Sequence, residues 1–445
     1  MGYFYILESG EYKSRERRIV MVISMPRGTQ DILPKESAKW QYVEDKLRKI
    51  SSNFCYNEIR TPMFESTELF SRGVGDTTDI VQKEMYTFLD KGNRSITLRP
   101  EGTAGTVRSY IENKLFGEVI QPQKLFYIGP MFRYERKQKG RYRQFVQYGV
   151  EVIGDESPKI DAEVVSLAYN IYKSFGIENI KVSINSLGNP EERKAYNDAL
   201  VKHFEPRIDE FCDDCKTRLY KNPMRILDCK IDAGHELMKS APKLLDYLGE
   251  ESKAYFSEVL SHLDNLGVKY KVDSNLVRGL DYYTHTAFEI MIDNPEVELK
   301  TLCGGGRYNG LIKLLDGPED KTGIGFALSI ERLLLALESE NITLPIDDTI
   351  DVFVVAMGDK ASNAAVKITN DLRLAGFKVQ NDYFDKKMKA QMKIADRYKA
   401  KYSLIIGDSE LESGEYVLKN MTDFTQENVK NTEIINYIEE KLRGE

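Results

Sequence analysis

The chain of 445 residues is long enough for roughly two to four domains. Its 63 basic and 70 acidic residues leave a net charge of −7, and with 30% charged and 41% hydrophobic residues the composition is that of an ordinary globular protein and excludes a histone-like basic one. Five cysteines, an odd number, argue against a disulfide-stapled secreted chain and for a reducing compartment. The chain has no run of about 18 uninterrupted apolar residues, so its sequence predicts no membrane-spanning helix.

The first two dozen residues differ from the rest of the chain. They begin MGYFYILESGEYKSRERRIV, with charges from Glu8 onward and without an apolar core long enough for a signal peptide. Met21 and Met25 both precede the first globular-looking segment, PRGTQDILP. We therefore expect residues 1–24 to be an extension that is either disordered or, as we favour, the product of an upstream start site.

A helix and an interrupted strand follow. From Lys35 the apolar residues recur at steps of three and four, as in an amphipathic helix: Trp40, Val43, Leu47, Ile50 and Phe54. The next segment, EIRTPMFE, is strand-like but contains Pro62, which cannot donate to a ladder and so predicts a sheet edge or an interface. The apolar stripe and the unpaired edge would be exposed in a monomer, which favours a subunit contact here.

Two alternating segments, LFYIGPMF and QFVQYGVEV, flank the loop RYERKQKGRYR and predict a long antiparallel hairpin. Since residues two apart share a face of a strand, Phe145, Gln147, Gly149 and Glu151 point the same way, with Gly149 leaving open floor between polar side chains. Residues 132–143 hold six basic residues and one acidic residue, a net charge of +5. The pattern predicts a site for an anionic ligand on the floor of a sheet.

The remaining chain predicts an α+β body interrupted by helices and followed by a smaller domain. Segments within 190–265 have helical spacing, strand-rich sequence returns at YKVDSNLVRGLDYYTHTAFEIMI, and NITLPIDDTI has the composition of a linker. After it, strands and helices alternate as in a mostly parallel α/β domain. The expected boundaries are 25–189 with 266–340 for the body, 190–265 for the helical insertion, 341–350 for the linker and 351–445 for the C-terminal domain.

Phosphate-binding glycine motifs do not explain an anionic ligand here. The chain has no GxxxxGK[ST], and no GxGxxG opens a helix after its first strand. Arg133, at the start of the basic loop, can instead hold a phosphate bidentately, and Phe145 offers a flat apolar face for a base. If a nucleotide binds, arginines hold it.

Three features leave alternatives open. Cys212 and Cys215 form a CxxC with Cys229 and His235 downstream, which are zinc-ligand types; because there is only one close cysteine pair, we favour core or surface thiols and assign no metal ligand. The GGGR at 304–307 favours tight sheet packing beneath a ligand over a phosphate loop. Four histidines have no Ser or Cys at motif spacing and are expected to be structural: His203, His235, His262 and His285.

The position of His285 remains ambiguous. It lies two residues after Tyr283, so strict strand alternation would put it on the same face, near the pocket. A break in the strand would put it on the opposite face.

The order of FRYERKQKGRYRQFVQYGVEVIG, LVRGLDYYT, GGGRYNGL and GIGFALSIERL resembles the bacterial histidyl-tRNA synthetases, a class II aminoacyl-tRNA synthetase family. The resemblance runs from about Pro26 to the C-terminus. It implies the class II antiparallel-sheet catalytic core with a helical insertion, and a C-terminal α/β anticodon-binding domain. Asn309 stands where many members have Asp, a change not expected to abolish activity.

For ATP and Mg²⁺ the resemblance implies a set of phosphate-binding arginines. Arg133 matches the arginine on the α-phosphate, Arg278 the additional catalytic arginine and Arg332 the arginine near the γ-phosphate and adenine. Phe145 would stack on the base with Glu135 near it, and Mg²⁺ would bridge the β- and γ-phosphates.

For histidine the resemblance implies one pocket that reads both ends of the amino acid. Glu101, Thr103 and Gln147, with Gly102 between the first two, match the site of the α-amino group. Glu151 and Tyr283 match the partners of the imidazole, with Tyr282 and Tyr308 as pocket wall.

For the cognate tRNA(His), the resemblance and the charge indicate two surfaces. Gln138, Arg141 and Arg143 are expected to meet the acceptor end, and the C-terminal domain to read the anticodon. There the segment 378–402 carries eight basic and three acidic residues, which favours phosphate contacts, with a solvated helix face as the alternative. The family further implies a cytoplasmic homodimer. The alternative function is a catalytically inactive, histidine-sensing regulatory paralogue of histidine biosynthesis.

Overall fold

The computed structural model describes residues 23–75, 78–136, 138–278, 280, 282–293 and 301–443. They form two compact units that divide between Leu344 and Pro345. The expected extension 1–24 lies outside the described residues except for its last two, as does Lys137 of the basic loop. Within the described part, no helix has the length and apolarity needed to cross a membrane.

The predicted first helix is confirmed as α1 (Pro34–Asn53), which starts on a proline suited to the first helical position. Its buried side chains Trp40, Val43 and Leu47 join the main core of the first unit. The expectation that this stripe would be exposed for a subunit contact is wrong, because the stripe packs against the chain's own sheet. Ser51 of the same helix is hydrogen-bonded to the Tyr148 hydroxyl at 2.8 Å.

Pro62 divides the predicted strand into two strands of different sheets. β1 (Asn57–Glu58) lies at the edge of the large sheet, as predicted, and β2 (Phe64–Ser66) belongs to a three-stranded sheet. That sheet is completed by β3 (Tyr86–Leu89) and β4 (Ser95–Leu98) in the order β2-β4-β3.

The large sheet of the first unit has eight strands. After β1, its strands are β5 (Gln123–Phe132), β6 (Gln144–Ile153), β7 (Ile180–Ser186), β8 (Tyr270–Val272), β9 (Thr284–Ile292), β10 (Thr301–Arg307) and β11 (Gly323–Ser329). Their order is β1-β5-β6-β11-β10-β9-β7-β8, antiparallel except at the β1–β5 and β7–β8 pairs. The predicted hairpin is confirmed as β5–β6, and β6 pairs on its other side with β11, which is distant in sequence.

Helices cover the sheet and form the insertion. The α-helices after α1 are α2 (Thr67–Val74), α3 (Thr103–Glu112), α4 (Pro158–Ser174), α5 (Pro190–Phe204), α6 (Asp213–Lys221), α7 (Glu236–Lys239), α8 (Glu250–Asn265), α9 (Leu311–Leu314) and α10 (Ile330–Ser339). Short helices of other types lie at Ile80–Glu84, Leu115–Gly117, Glu205–Glu210, Pro223–Ile226 and Leu244–Tyr247. Helices α4 and α8 share the main core with the sheet.

One glutamate joins the two ends of the helical insertion. Asn189 caps α5 by accepting from the backbone N–H groups of Glu191 and Glu192, at 3.0 and 2.9 Å, and the Glu192 carboxylate accepts from the Asn189 backbone. This reciprocal arrangement is a capping box. The same carboxylate accepts from the Gly249 N–H at 2.7 Å and the Ser252 hydroxyl at 2.8 Å, so the start of α8 is held beside the start of α5.

A fully buried ion pair joins α4 to the sheet. The Arg307 guanidinium donates to the Asp161 carboxylate, through Nε at 2.9 Å, and neither side chain is exposed. Asp161 also accepts from the hydroxyls of Thr286 at 2.5 Å and Tyr255 at 3.0 Å. Arg307 donates in addition to the Asn309 side-chain oxygen at 3.2 Å, so the asparagine takes part in the same network.

The second unit is an α/β domain with a mixed sheet. Its elements are β12 (Ile350–Ala356), α11 (Asp359–Leu374), β13 (Val379–Asn381), α12 (Met388–Arg397), β14 (Ala400–Ile406), α13 (Asp408–Ser413), β15 (Glu415–Asn420), β16 (Gln426–Lys430) and α14 (Ile434–Arg443). The parallel part, β13-β12-β14, agrees with the sequence analysis. The antiparallel hairpin β15–β16 was not predicted.

Removal of the Asp161 carboxylate should strongly destabilise the first unit. Asp161→Ala leaves Arg307 charged and buried without its partner, which costs about 3–5 kcal/mol. Urea unfolding followed by circular dichroism measures the loss. The control, Asp371→Ala, removes the solvent-exposed pair with Lys367 and should change the curve little. Equal effects of the two variants would show that the buried pair does not hold the fold.

Candidate active site

A cavity of about 470 Å³ lies over β6, β10 and β11 in the first unit. Thirteen of the residues singled out in the sequence line it: Glu101, Thr103, Arg133, Glu135, Arg141, Phe145, Gln147, Glu151, Arg278, Tyr282, Tyr283, Tyr308 and Arg332. Gly102, Gln138 and Arg143 do not line it. Residues that the sequence spreads over about 230 positions therefore meet at one site.

Glu151, on β6, is the most buried acid of the cavity, with 1% of its surface exposed. Its carboxylate accepts from the Thr103 hydroxyl at 2.7 Å and from the Tyr308 hydroxyl at 2.6 Å. Burial raises the pKa of the Glu151 carboxyl to about 8, although these hydroxyls favour the charged form. The group therefore takes up and loses its proton close to neutral pH.

Tyr127 fills the floor that Gly149 was expected to leave open, and that expectation is wrong. Tyr127 on β5 is the cross-strand partner of Gly149, and a Cβ added at Gly149 or at Gly102 would overlap its ring. Its hydroxyl donates to Glu151 at 3.4 Å. The two glycines thus make room for a tyrosine beneath the cavity, which the alternation of one strand could not reveal because the partner strand supplies the ring.

Glu101 and Gln147 are two further polar residues of the cavity, and they differ in whether their side-chain oxygens already accept hydrogen bonds. The Glu101 carboxylate accepts from the backbone N–H groups of Thr103 at 2.7 Å and Ala104 at 2.9 Å, at the N-terminus of α3. Burial raises the pKa of Glu101. The side-chain oxygen of Gln147 is buried and accepts no hydrogen bond from the described residues, so it is ready to accept one from a donor in the cavity.

Arg133, Glu135 and Arg141 form a charged group at the basic loop. Arg133 donates through Nε to the Pro100 carbonyl at 2.8 Å and lies over the Phe145 ring at 5.3 Å. Arg141 donates to the Glu135 carboxylate at 3.3 Å. The loop thus turns both guanidinium groups into the cavity, where a phosphate could replace their present contacts.

Arg278 is held by an ion pair with Glu289, on β9, that the sequence analysis missed. Its guanidinium lies over the Tyr283 ring at 5.5 Å and occupies the space that a Cβ at Gly304 would fill. This close approach of Arg278 to Gly304 agrees with the prediction that the glycines at 304–307 allow tight packing and do not form a phosphate-binding loop. Arg332, at the start of α10, donates to the Thr301 carbonyl at 2.8 Å.

Arg143 and Gln138 lie outside the cavity. The Arg143 guanidinium stacks on Tyr134 at 3.7 Å, and its backbone N–H donates to the Gly28 carbonyl at 2.8 Å. Gln138 forms an isolated bridge with Arg141. In this structure Arg143 anchors the segment around Gly28, and its expected contact with the tRNA acceptor end stays a prediction.

A wall of the cavity comes from the insertion and was not foreseen. Arg225, Asp228 and Lys230 line it, and Arg225 pairs with Asp79, also of the lining, at 3.0 Å. These residues belong to no motif that marks a ligand site, since their approach depends on how the insertion folds back. None of the four histidines lines the cavity.

The position of His285 is now resolved. Its backbone has a φ of 44°, which breaks the strand alternation after Tyr283. The ring lies 5.5 Å from that of Tyr255 on α8, away from the cavity.

Comparisons with known proteins agree with this geometry. The family model described as histidyl-tRNA synthetase matches residues 28–333, and that of the anticodon binding domain matches residues 351–441. The histidine–tRNA ligase of Staphylococcus haemolyticus (strain JCSC1435) is 61% identical over 422 residues, which cover 94% of this chain and 100% of the relative. That of Staphylococcus aureus (strain JH9) is 60% identical over 418 residues, 94% of this chain and 99% of the relative.

A crystal structure of apo S. aureus histidyl-tRNA synthetase matches with a TM-score of 0.81 at 54% identity, covering 94% of this chain and 100% of that one. The antiparallel sheet, its cavity and the appended α/β unit define a class II aminoacyl-tRNA synthetase. Within that class, the chain belongs to the histidyl-tRNA synthetase family.

The raised pKa of Glu151 predicts a pH-dependent stability difference. Between pH 4.5 and about 8 the carboxyl is protonated in the folded state and ionised in the unfolded state, so the free energy of unfolding falls as the pH rises through this window. Glu151→Gln removes this dependence and should gain stability relative to the parent chain from pH 5 to pH 8, by about 1 kcal/mol per pH unit. Urea unfolding across this pH range measures it.

The control is Val119→Ala, which changes a side chain that is 98% exposed and carries no ionisable group. Its difference from the parent should stay constant with pH. A constant difference for Glu151→Gln as well would contradict the raised pKa.

Proposed function

We propose that this chain activates L-histidine with ATP and transfers the histidyl group to the 3′ end of tRNA(His). The observation that carries the proposal is the single cavity in which three arginines, Arg133, Arg278 and Arg332, accompany buried polar groups suited to a small polar amino acid. In the first step the histidine carboxylate attacks the α-phosphorus of ATP and pyrophosphate leaves. In the second, a ribose hydroxyl of the terminal adenosine attacks the carbonyl carbon and AMP leaves.

The arginines have the charge that the first step requires. Negative charge increases on the α-phosphate and on the departing pyrophosphate, and fixed cations in a partly dry site stabilise it. We assign Arg133 and Arg278 to the α-phosphate and Arg332 to the γ-phosphate side. We assign Phe145 to stacking on the adenine, with Glu135 beside it, because both line the cavity next to Arg133.

The polar groups fit the two ends of histidine. Glu101, Thr103 and Gln147, with Gly102 at the turn, are assigned to the α-amino end, where the unsatisfied Gln147 oxygen accepts an N–H. Glu151 and Tyr283 are assigned to the imidazole nitrogens, and Tyr282 and Tyr308 to the wall. Their rings are in contact, with centroids 5.8 Å apart. An amino acid that leaves such buried groups unpaired is rejected by about 10⁴ or more, so the site needs no separate editing step.

The proposed Mg²⁺ fits the donors of the cavity. Glu84 and Glu135 line it with carboxylate oxygens, the ligand type that Mg²⁺ prefers, together with oxygens of the substrate phosphates. When bound, the ion neutralises phosphate charge.

A basic stripe on α12 supports the expected contact with the anticodon region. Lys389, Lys393 and Arg397 are spaced at four-residue steps and are exposed, whereas Gln391 and Ala395 face the core. Other lysines of the predicted basic segment pair with carboxylates, as Lys399 does with Asp348. The α12 stripe therefore supplies positive charge for contacts with phosphates of the tRNA. At the acceptor end, Gln138, Arg141 and Arg143 keep their proposed role.

We place this reaction in the cytoplasm, where translation uses charged tRNA. All five cysteines are free thiols, which fits a reducing compartment. The histidine-sensing regulatory alternative is disfavoured because the cavity retains its three arginines and the chain carries a matched anticodon domain.

The proposed homodimer finds support in the three-stranded sheet and the residue that precedes β2. About half or more of the surface of each of four apolar residues is exposed there: Met63, Phe64, Phe88 and Leu89. Sedimentation should give twice the chain mass of 51.1 kDa. Leu89→Glu should shift the equilibrium towards monomer, whereas Val366→Glu, an exposed apolar position of the second unit, should not. A monomer for the parent chain would refute the proposal.

Amino-acid-dependent exchange of labelled pyrophosphate into ATP tests the chemistry without tRNA. Of the twenty amino acids, only histidine should support exchange. Arg278→Ala should lower its rate by about 10²–10³ because it removes a charge that the transition state needs. Binding of histidine without exchange would instead indicate a histidine sensor.

Gly304→Ala provides a positional test of the same arginine. The added Cβ takes the space of the Arg278 guanidinium and should lower the rate in the same direction. Gly117→Ala, where a Cβ meets nothing within 4 Å, should have the parent rate. Full exchange by Gly304→Ala would show that the position of Arg278 is not required.

Neutralising the α12 stripe tests the tRNA surface. The triple variant Lys389→Ala, Lys393→Ala, Arg397→Ala should bind tRNA more weakly and lower the slope of log K against log salt by about 2, since each contact with a single strand contributes about 0.7. Pyrophosphate exchange should be unchanged. A control triple variant removes exposed lysines elsewhere on the unit: Lys360, Lys367 and Lys430. Equal slopes for the two variants would contradict the assignment.

A further inference from the structure

Cys212, Cys215, Cys229 and Asp232 come together in the insertion, apart from the cavity lining. One ligand atom of each residue lies within 4.8 Å of every other. Cys215 and Cys229 are buried, and Cys212 and Asp232 are partly exposed. In sequence the residues form two close pairs, C-x₂-C and C-x₂-D. The second pair was not recognised from the sequence because a carboxylate takes the place of its second cysteine.

The spacing of the ligand atoms suits a tetrahedral ion. The sulfur atoms of Cys212 and Cys229 are 3.7 Å apart, and the Cys229 sulfur is 3.4 Å from a carboxylate oxygen of Asp232. Zinc bonds of about 2.3 Å to sulfur and 2.0 Å to oxygen require tetrahedral edges of about 3.8 and 3.5 Å. A disulfide would need the sulfurs about 2.05 Å apart.

Helix α6 places two of the sulfur atoms at the cluster. Cys212 is the N-terminal cap of this nine-residue helix, and Cys215 lies in its first turn. The Cys212 backbone N–H donates to the Asp232 carboxylate at 3.2 Å, which draws the second pair towards the helix.

His235, the other ligand considered from the sequence, is engaged elsewhere. Its Nε2 is 3.0 Å from the Glu210 carboxylate, and its Nδ1 accepts from the Leu237 backbone N–H at 3.2 Å. Both ring nitrogens are therefore used, and the fourth ligand is the carboxylate.

We propose that these four residues bind one Zn²⁺ ion in a closed structural site. On binding, the three thiols release three protons to the buffer and become thiolates. Three soft sulfur ligands select zinc over Mg²⁺ or Ca²⁺. Since Asp228 and Lys230 flank Cys229 and line the cavity, the ion fixes that wall of the active site to α6.

Metal analysis of the full-length chain, purified under reducing conditions, tests the site. The protein is stripped with a chelator and titrated with Zn²⁺ against a chromogenic indicator. We expect one equivalent per chain, and protection of the partly exposed Cys212 from alkylation by Zn²⁺ relative to the stripped chain, with exposed Cys55 reactive in both. Failure of the reduced protein to take up zinc, or equal alkylation of Cys212 with and without zinc, would overturn the proposal.

Substitutions and cobalt add independent readouts. Cys229→Ser and Asp232→Ala should weaken zinc binding by at least tenfold, whereas Cys55→Ser, at an exposed cysteine, should bind like the parent. If the variants at the cluster do not fold, Co²⁺ added to the stripped parent chain decides. Intense visible absorption with a sulfur-to-metal charge-transfer band supports a tetrahedral thiolate site, and the pale spectrum of an octahedral ion refutes it.

Discussion

The buried charge of Asp161 is the constraint on which much of the first unit depends. A carboxylate without exposure is tolerated only where donors surround it, and Asp161 receives them from Arg307, Thr286 and Tyr255, on three different elements. The residue after Arg307 is Tyr308, whose hydroxyl donates to Glu151. The network that satisfies one buried charge therefore also sets the position of a pocket wall.

Absent side chains shape the cavity as much as present ones. Glycines stand where another segment places a large group against the sheet: Tyr127 of the neighbouring strand over Gly149, and the guanidinium of Arg278, from the loop before β9, over Gly304. Gly325 likewise leaves room for the carboxylate of Glu151. A sheet with glycines at such points can hold large polar side chains directly against its surface.

Local pattern predicted the β5–β6 hairpin, the α1 stripe and the motifs, whereas it missed the β15–β16 hairpin and the contacts between distant segments. The hairpin and the α1 stripe follow from periodicity within one segment. Tyr127 and Glu289 were missed because their roles arise from cross-strand pairing and an ion pair, which no spacing within a single strand reports. The metal-ligand character of Asp232 was missed for a related reason, since an exposed-looking carboxylate in a loop has no signal until the fold places three sulfurs around it.

The strand order has a consequence for synthesis of the chain. β6 pairs with β11, so Gly149 lies opposite Ala327, 178 positions later (327 − 149). On a ribosome that adds about 5–20 residues per second, the open edge of the emerging hairpin waits roughly 10 to 35 s for its partner. Unpaired edges of this kind recruit other strands and lead to aggregation. Conditions that slow translation lengthen this interval. Chaperones that cover strand edges on the nascent chain should therefore raise the yield of folded protein, whatever the stability of the finished fold.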